Sequence, residues 1–162
     1  MIEEKQPVRR LLEQERGKFA WNCIQEIKKL PSAELQAEYR TRALTFNQMV
    51  QINGLGATLG FLKAKATKEQ KGGQEQQVLS AYGYLLQHLT NWMHQRGFVA
   101  NEDQKFDALL SWVLEKADRE EYRRATTECL AFGDWLRRFA EAELSKEDSQ
   151  QATGPGQQGG RE

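Results

Sequence analysis

Residues 52–65 read INGLGATLGFLKAK, with glycines at positions 54, 56 and 60 and lysines at 63 and 65. A glycine-rich segment of this kind serves either as a phosphate-binding turn between a strand and a helix, or as a hinge between two helices. The first arrangement belongs to α/β nucleotide-binding folds and the second to helical bundles. The residues on either side therefore decide the fold class.

The residues before this segment, LTFNQMVQI (44–52), continue a helical spacing of apolar side chains. No second strand follows, and no acidic residue ends a strand about 20 positions further on, as a dinucleotide-binding fold requires. We therefore predict that Gly54 is a hinge between two helices, because glycine tolerates a positive φ. Gly56 and Gly60 share one helical face, which predicts a bare ridge where another helix approaches closely.

Apolar residues recur three and four positions apart along almost the whole chain, which is the period of amphipathic helices. The first helix is predicted at about residues 8–30, where Pro31 ends it. The second begins after Ser32, a good N-terminal cap, and runs to the hinge. The third begins at the hinge and ends in a predicted loop over residues 67–73.

A fourth helix is predicted at about residues 75–96, with Gly97 ending it and Phe98 folding back onto its last turn. Capping-box patterns at Asn101–Gln104 and Asp118–Glu121 predict the starts of a fifth and a sixth helix. The sixth carries a seam of apolar residues in alternating steps of three and four. Its members are Tyr122, Ala125, Cys129, Phe132, Leu136 and Phe139.

No strand pattern and no internal repeat is visible in the sequence. The predicted fold class is therefore all-α, a single-domain bundle of about six helices over residues 1–144. The remaining residues, 145–162, read SKEDSQQATGPGQQGGRE and contain no aromatic or branched aliphatic residue. Because such a segment buries too little apolar area to offset its ordering entropy, we predict a disordered polar tail.

The composition indicates a soluble globular protein. Of the 162 residues, 39% are apolar and 28% are charged. No apolar run approaches the roughly 18 residues of a membrane span, and the N-terminus lacks the apolar centre of a secretion signal. We expect a cytoplasmic protein that does not contact a membrane.

The sequence offers no set of residues for metal binding or catalysis. Cys23 and Cys129 are far apart and form no CxxC pair, and they are best interpreted as buried thiols. His88 and His94 are six residues apart, a poor spacing for two ligands on one helical face. We therefore expect no metal, no cofactor and no enzymatic activity.

The charges balance in total but not along the chain. Residues 36–71 hold six basic and two acidic side chains, whereas residues 99–150 hold eight basic and thirteen acidic ones. A positive face without catalytic groups suits a nucleic-acid backbone. A bundle with one positive and one negative end also suits head-to-tail stacking of identical copies.

Four segments together resemble a known family: QERGKFAW (14–21), EYRTRA (38–43), NGLGATLGFLKAK (53–65) and EYRRATTECLAFGDWLRRFAEAEL (121–144). Their order and spacing resemble the small all-helical subunit of the Cmr complex, the type III-B CRISPR effector that targets RNA. The similarity covers about residues 10–144.

The resemblance implies a non-catalytic subunit that stacks in several copies along a filament formed by the Cmr backbone subunit. Its partners would be that subunit, the large signalling subunit, further copies of itself, guide RNA and target RNA. Six basic residues in the matching segments are the expected RNA-backbone contacts: Arg16, Lys18, Arg40, Arg42, Lys63 and Lys65. The alternative is a protein-only helical adaptor that makes no RNA contact.

Overall fold

A computed structural model of the chain describes residues 8–69, 77–100 and 103–146. Within these ranges the helices are α1 (Val8–Lys28), α2 (Ala33–Asn53), α3 (Leu55–Ala64), α4 (Ala81–Gln95), α5 (Ala108–Glu115) and α6 (Arg119–Glu143). Two short strands, β1 (Thr67–Glu69) and β2 (Gln77–Leu79), pair antiparallel between α3 and α4. The predicted all-α class is confirmed, with this small ribbon as an addition.

Most helix ends follow the predicted capping signals. The Ser32 hydroxyl accepts a hydrogen bond from the third backbone amide after it, at 3.1 Å, and so starts α2. Gly54 has a φ of +89° and Gly97 a φ of +83°, the left-handed backbone that glycine favours. Asp118 and Glu121 form the predicted capping box at the start of α6. The hinge at Gly54 joins two helices and is not preceded by a strand.

All six helices in the described ranges contribute to the core, and aromatic rings of α1, α4 and α6 meet within it. The ring of Trp92 on α4 stacks on Phe132 of α6, with ring centroids 5.3 Å apart, and Phe19 of α1 lies 5.3 Å from Trp92. α6 packs along both α1 and α2, while the other side of α2 packs on α4. The predicted seam of α6 is confirmed, since its four central members are fully or almost fully buried.

The start of α4 differs from the sequence prediction. Residues 77–79 pair with β1 and do not join the helix, so α4 begins at Ala81 rather than near residue 75. Ser80 caps it and also donates its hydroxyl to the carbonyl oxygen of Lys65. The expectation of no strand is wrong here, because strands of three residues show no alternating pattern in a sequence.

The start of α5 also differs. This helix begins at Ala108, after the cap residue Asp107, and not at the capping box predicted for Asn101–Gln104. Asn101 itself lies outside the described residues. The helix begins where Ala108 and Leu109 become buried against the core, so tertiary packing decides its start.

Close helix contact occurs at a glycine other than the predicted ones. A Cβ atom at Gly60 would meet no atom within 4 Å, so the predicted ridge is wrong at that position. At Gly56 a Cβ would lie an ordinary 3.5 Å from the Tyr122 hydroxyl. At Gly133 of α6, in contrast, a Cβ would lie 2.0 Å from Oδ1 of Asn47 on α2. The small residue that lets two helices approach is therefore on α6.

The polar tail predicted for residues 145–162 lies outside the described residues from position 147 onward. Among the helices in the described part of the chain, none combines the length and apolarity needed to cross a bilayer.

Candidate nucleic-acid interface

A partly exposed group of basic and aromatic side chains lies where α2, the end of α3 and the start of α4 meet. We call it the Tyr82 cluster; its members are Glu38, Arg42, Phe61, Lys65 and Tyr82. The guanidinium of Arg42 and the amino group of Lys65 each lie 5.3 Å from the centroid of the Tyr82 ring. Lys65 also lies 5.0 Å from the Phe61 ring, which meets Tyr82 edge to face. The structure thus brings two of the six predicted residues together on one aromatic pair.

The cluster has a net positive charge. Glu38 is its only carboxylate, 3.8 Å from Nε of Arg42, a distance too long for a hydrogen bond. A hydrogen bond with Glu38 raises the pKa of Tyr82 above its ordinary value, so the phenol adds no charge to the cluster at physiological pH or at moderately higher pH. Lys65 makes no ion pair with any residue in the described ranges, and its amino group is held only by the two rings.

Lys63 belongs to a different environment. It lies two residues before Lys65, and because a helix turns about 100° per residue, the two side chains leave α3 on opposite sides. Its amino group forms an ion pair with Asp107 at 2.7 Å and lies 4.7 Å from the Phe106 ring. This lysine therefore ties α3 to the start of α5, although 44% of its side chain is exposed.

Lys18 and Arg40 lie apart from the Tyr82 cluster. Lys18 is exposed on α1, and Arg40 is half-buried on α2, two residues before Arg42 and so on the opposite side of that helix. Within the part of the chain that the structure describes, neither has an ion pair. The buried Nε of Arg40 has no hydrogen-bond acceptor there.

Arg16 is part of a buried network at the other end of α4. We call this network the Glu128 centre; its members are Glu128, Arg16, Trp92 and Arg96. The Glu128 carboxylate accepts hydrogen bonds from Arg16 Nη2 at 2.6 Å, Arg96 Nε at 2.9 Å and Trp92 Nε1 at 3.2 Å. Side-chain exposure is 12% for Arg16 and 7% for Glu128. The charge of Arg16 is thus paired with a buried carboxylate inside the fold.

Sequence reasoning missed the Glu128 centre, although the sequence holds a signal for it. Glu128 lies three residues after Ala125 and four before Phe132, and both of these are on the buried seam of α6. An acid at a core position of an amphipathic helix requires a basic partner from another element. Only the fold shows that Arg16 of α1 and Arg96 at the end of α4 supply it.

The two thiols are buried and His88 is held by hydrogen bonds, whereas both ring nitrogens of His94 lack a hydrogen-bond partner within the described residues. Burial raises the pKa of both thiols, Cys23 and Cys129, which favours the inert neutral form. The ring of His88 bonds to Tyr39 through Nδ1 at 2.8 Å and to Glu26 through Nε2 at 2.9 Å. Over residues 8–69, 77–100 and 103–146, no group of three His, Cys, Asp or Glu side chains could hold a metal ion.

The fold and the sequence both match a known family. A family model described as CRISPR-associated protein (Cas_Cmr5) matches residues 12–143. The chain belongs to this family. Cmr5 proteins are small subunits of the type III-B Cmr complex, so this Cmr5 family chain is a subunit of a CRISPR Cmr complex.

A solved structure is similar over most of the chain. It is the X-ray structure of a CRISPR-associated Cmr5 family protein from Thermus thermophilus, with a TM-score of 0.60 and 25% sequence identity. The match covers 82% of this chain and 96% of that protein. The resemblance drawn from the four sequence segments is thereby confirmed.

Proposed function

We propose that this Cmr5 family chain is a non-catalytic, cytoplasmic subunit that lines the path of the guide RNA–target RNA duplex within the Cmr complex. The observation that carries the proposal is the Tyr82 cluster, in which two cations rest on a partly exposed aromatic pair. A surface of this kind binds the phosphate backbone without reading bases. That property suits a complex in which base pairing with the guide supplies the specificity.

Lys65 is the best-placed contact in the cluster. Its amino group has three N–H donors, and within the described residues no carboxylate takes them. The two rings hold the side chain near one position, which lowers the entropy lost when a phosphate binds. Arg42 is held by the same ring and by Glu38, so it offers a second, partly neutralised charge.

The other four predicted residues enter the proposal in different ways. Lys18 and Arg40 make no ion pair in the described ranges, so their charges are available to a phosphate. Lys63 and Arg16 share their charges with Asp107 and Glu128. We propose that these two act by strengthening the local positive potential while they hold the fold together.

The proposed partners are the Cmr backbone subunit, the large signalling subunit, further copies of this chain, and the guide and target RNAs. Stacking of copies would place the basic part of one bundle near the acidic part of the next. Each copy then contributes a weak, salt-sensitive contact, and the array gains avidity because one RNA meets several copies.

The test is capture of target RNA by a reconstituted Cmr complex that carries Lys63→Gln and Lys65→Gln in this subunit. Glutamine is chosen because glutamate at position 63 would face Asp107 and destabilise the bundle by like-charge repulsion. We expect target RNA affinity to fall about tenfold at low salt, with a shallower salt dependence, because charge opposite the phosphates is lost.

A matched control removes two positive charges elsewhere. Lys29 on the α1–α2 connection and Arg137 on α6 are exposed, and the Lys29→Gln and Arg137→Gln pair should leave RNA capture unchanged. An equal loss of RNA capture in both variants would show that only the net charge of the subunit matters, and that the Tyr82 cluster is not a defined RNA-binding surface. If the complex purifies with this subunit but its capture of target RNA does not depend on Lys63 or Lys65, the protein-only adaptor is supported instead.

A further inference from the structure

A cleft outside the Tyr82 cluster lies between the end of α4 and the first half of α6. Its volume is about 290 Å³, and its lining residues are Arg96, Phe98, Arg123, Arg124, Thr127 and Glu128. We call it the arginine cleft. Three guanidinium groups and one carboxylate line it, and none of the arginines was among the residues predicted to contact RNA.

Arg96 is fixed by the Glu128 centre. Its Nε donates to Glu128 at 2.9 Å, while its side chain remains 31% exposed. Within the described ranges, its two terminal nitrogens have no acceptor. The carboxylate is shared with Arg16, which donates to it from the buried side. Glu128 therefore orients Arg96 without cancelling the positive charge of the cleft.

Arg124 is fixed by an aromatic ring. Its guanidinium lies 5.5 Å from the centroid of Phe98, and that ring is supported from another direction by Trp112, 5.9 Å away and edge on. Within the described part of the chain, no carboxylate binds Arg124. Arg123 is more loosely placed, because it bonds to Glu120 at 2.8 Å and 75% of its side chain is exposed.

We propose that the arginine cleft binds a phosphodiester group of an RNA backbone, with Arg96 and Arg124 as the two principal donors. Two oriented guanidinium groups offer paired N–H donors that match the oxygen pairs of a phosphate. Arg124 lies over the Phe98 ring and Trp112 packs against that ring at 77°, so the ring holds Arg124 in place and the proposed contacts are the two guanidinium groups. Binding is therefore to the backbone and blind to sequence.

The cleft is separate from the Tyr82 cluster. Arg96 lies 14 residues beyond Tyr82 along α4 and its C-cap, a separation of about 21 Å at 1.5 Å per residue. The choice of RNA over an acidic protein segment rests on the proposed function. The site itself rests only on the placement of Arg96, Arg124 and Phe98. The arginine cleft and the proposed function can therefore fail independently of each other.

The test is an NMR titration of the full chain that follows the arginine Nε–Hε signals. Hexauridylate is added at low salt, and a hexaglutamate peptide of similar charge is added in a parallel sample. We expect the signals of Arg96 and Arg124 to shift with hexauridylate, and the shifts to disappear as salt rises. The Arg137 signal, from an exposed arginine further along α6, is the internal control.

Variants then measure the contribution of the cleft. Arg124→Gln should weaken hexauridylate binding about fivefold and lower the salt slope by roughly 0.7, the value for one phosphate contact to a single strand. Arg124→Lys should recover only part of the loss, because lysine keeps the charge but lacks the planar fork. Arg137→Gln should change neither quantity.

The alternative outcomes separate the two proposals. A shift of the Arg42 signal, which reports on the Tyr82 cluster, without shifts at Arg96 and Arg124 would overturn the cleft and leave the proposed function standing. Shifts at the cleft alone would support the cleft and count against the Tyr82 cluster. A response of Arg96 and Arg124 to hexaglutamate but not to hexauridylate would overturn the RNA assignment in favour of an acidic protein partner.

Discussion

Two helices of this bundle, α3 and α6, carry the same kinds of residue and use them in opposite ways. Each contains helical glycine and charged side chains. On α3, Gly60 faces open space, and Lys65 at the C-cap of this helix is exposed on two aromatic rings. On α6, Gly133 lies against α2, and Glu128 is buried with two arginines. Neighbouring elements therefore decide what a glycine or a charge does, and residue type alone does not.

The difference follows from where these residues lie on each helix. α6 packs along both α1 and α2, and Gly133 and Glu128 lie on its buried side. α3 packs on α2, α4 and α5, whereas a Cβ at Gly60 would meet no atom within 4 Å and Lys65, at the C-cap, has an exposed side chain. The side of the helix on which a residue lies therefore decides whether it fits inside the fold or faces outward.

The largest effect is expected at the charge buried by α6. Glu128→Ala leaves Arg16 with only the more exposed Glu13 carboxylate, 3.2 Å from its Nη1, and leaves Trp92 Nε1 without its acceptor, so we expect the free energy of unfolding to fall by about 3 kcal/mol. Chemical denaturation of the isolated chain measures it. Glu120→Ala, which removes the exposed partner of Arg123, is the control and should leave the unfolding midpoint unchanged. If Glu128→Ala and Glu120→Ala lowered the free energy of unfolding equally, the buried ion pair would contribute no more to stability than the surface pair.

The next effect is expected at the glycine of α6. Gly133→Ala would place a Cβ 2.0 Å from Asn47 Oδ1 and 3.0 Å from Phe46. Asn47 cannot move freely, because its amide donates to Leu130 O at 3.0 Å and to Asp134 at 2.8 Å. We expect a loss of about 1–3 kcal/mol in thermal or denaturant unfolding. Unchanged stability would mean that α2 and α6 approach less closely than described.

The glycine of α3 should respond in the opposite direction. Gly60→Ala meets no atom within 4 Å, and alanine is favoured over glycine inside a helix. The same unfolding experiment should show a gain of up to about 1 kcal/mol. A loss of stability would indicate a close contact at Gly60 and would restore the ridge predicted from the sequence.

The smallest effect on stability is expected at the exposed cation of α3. Lys65→Gln removes two cation–π contacts at a solvent-exposed site, which should cost less than about 1 kcal/mol. Far-UV circular dichroism should be unchanged. A large loss of stability would show that Lys65 holds the fold, and would weaken its assignment to RNA binding.

Much of the fold could be predicted from the sequence because helical signals are local. The periodic apolar residues, Ser32, Gly54 and the Asp118 capping box each act within one or two helical turns, and all are confirmed. The ribbon at residues 67–69 and 77–79 and the start of α5 were missed. Both depend on pairing or burial against distant residues.

The candidate sites show the same limit more strongly. Arg42 and Lys65 lie in segments far apart in the sequence, and only the approach of α2 to α3 and α4 puts both on Tyr82. Arg16 looked like a surface cation because its partner, Glu128, is 112 residues away. Whether a basic residue is free or engaged depends on such contacts between distant residues, which local sequence patterns do not encode.

The most direct measurement is acetylation footprinting of lysines in a reconstituted Cmr complex, with and without its guide and target RNAs, read by mass spectrometry. A phosphate bound to the Lys65 amino group shields it from the reagent, so the account predicts that RNA protects Lys65, while the exposed Lys29 reacts equally in both samples. Equal modification of Lys65 with and without RNA, in a fully assembled complex, would contradict it.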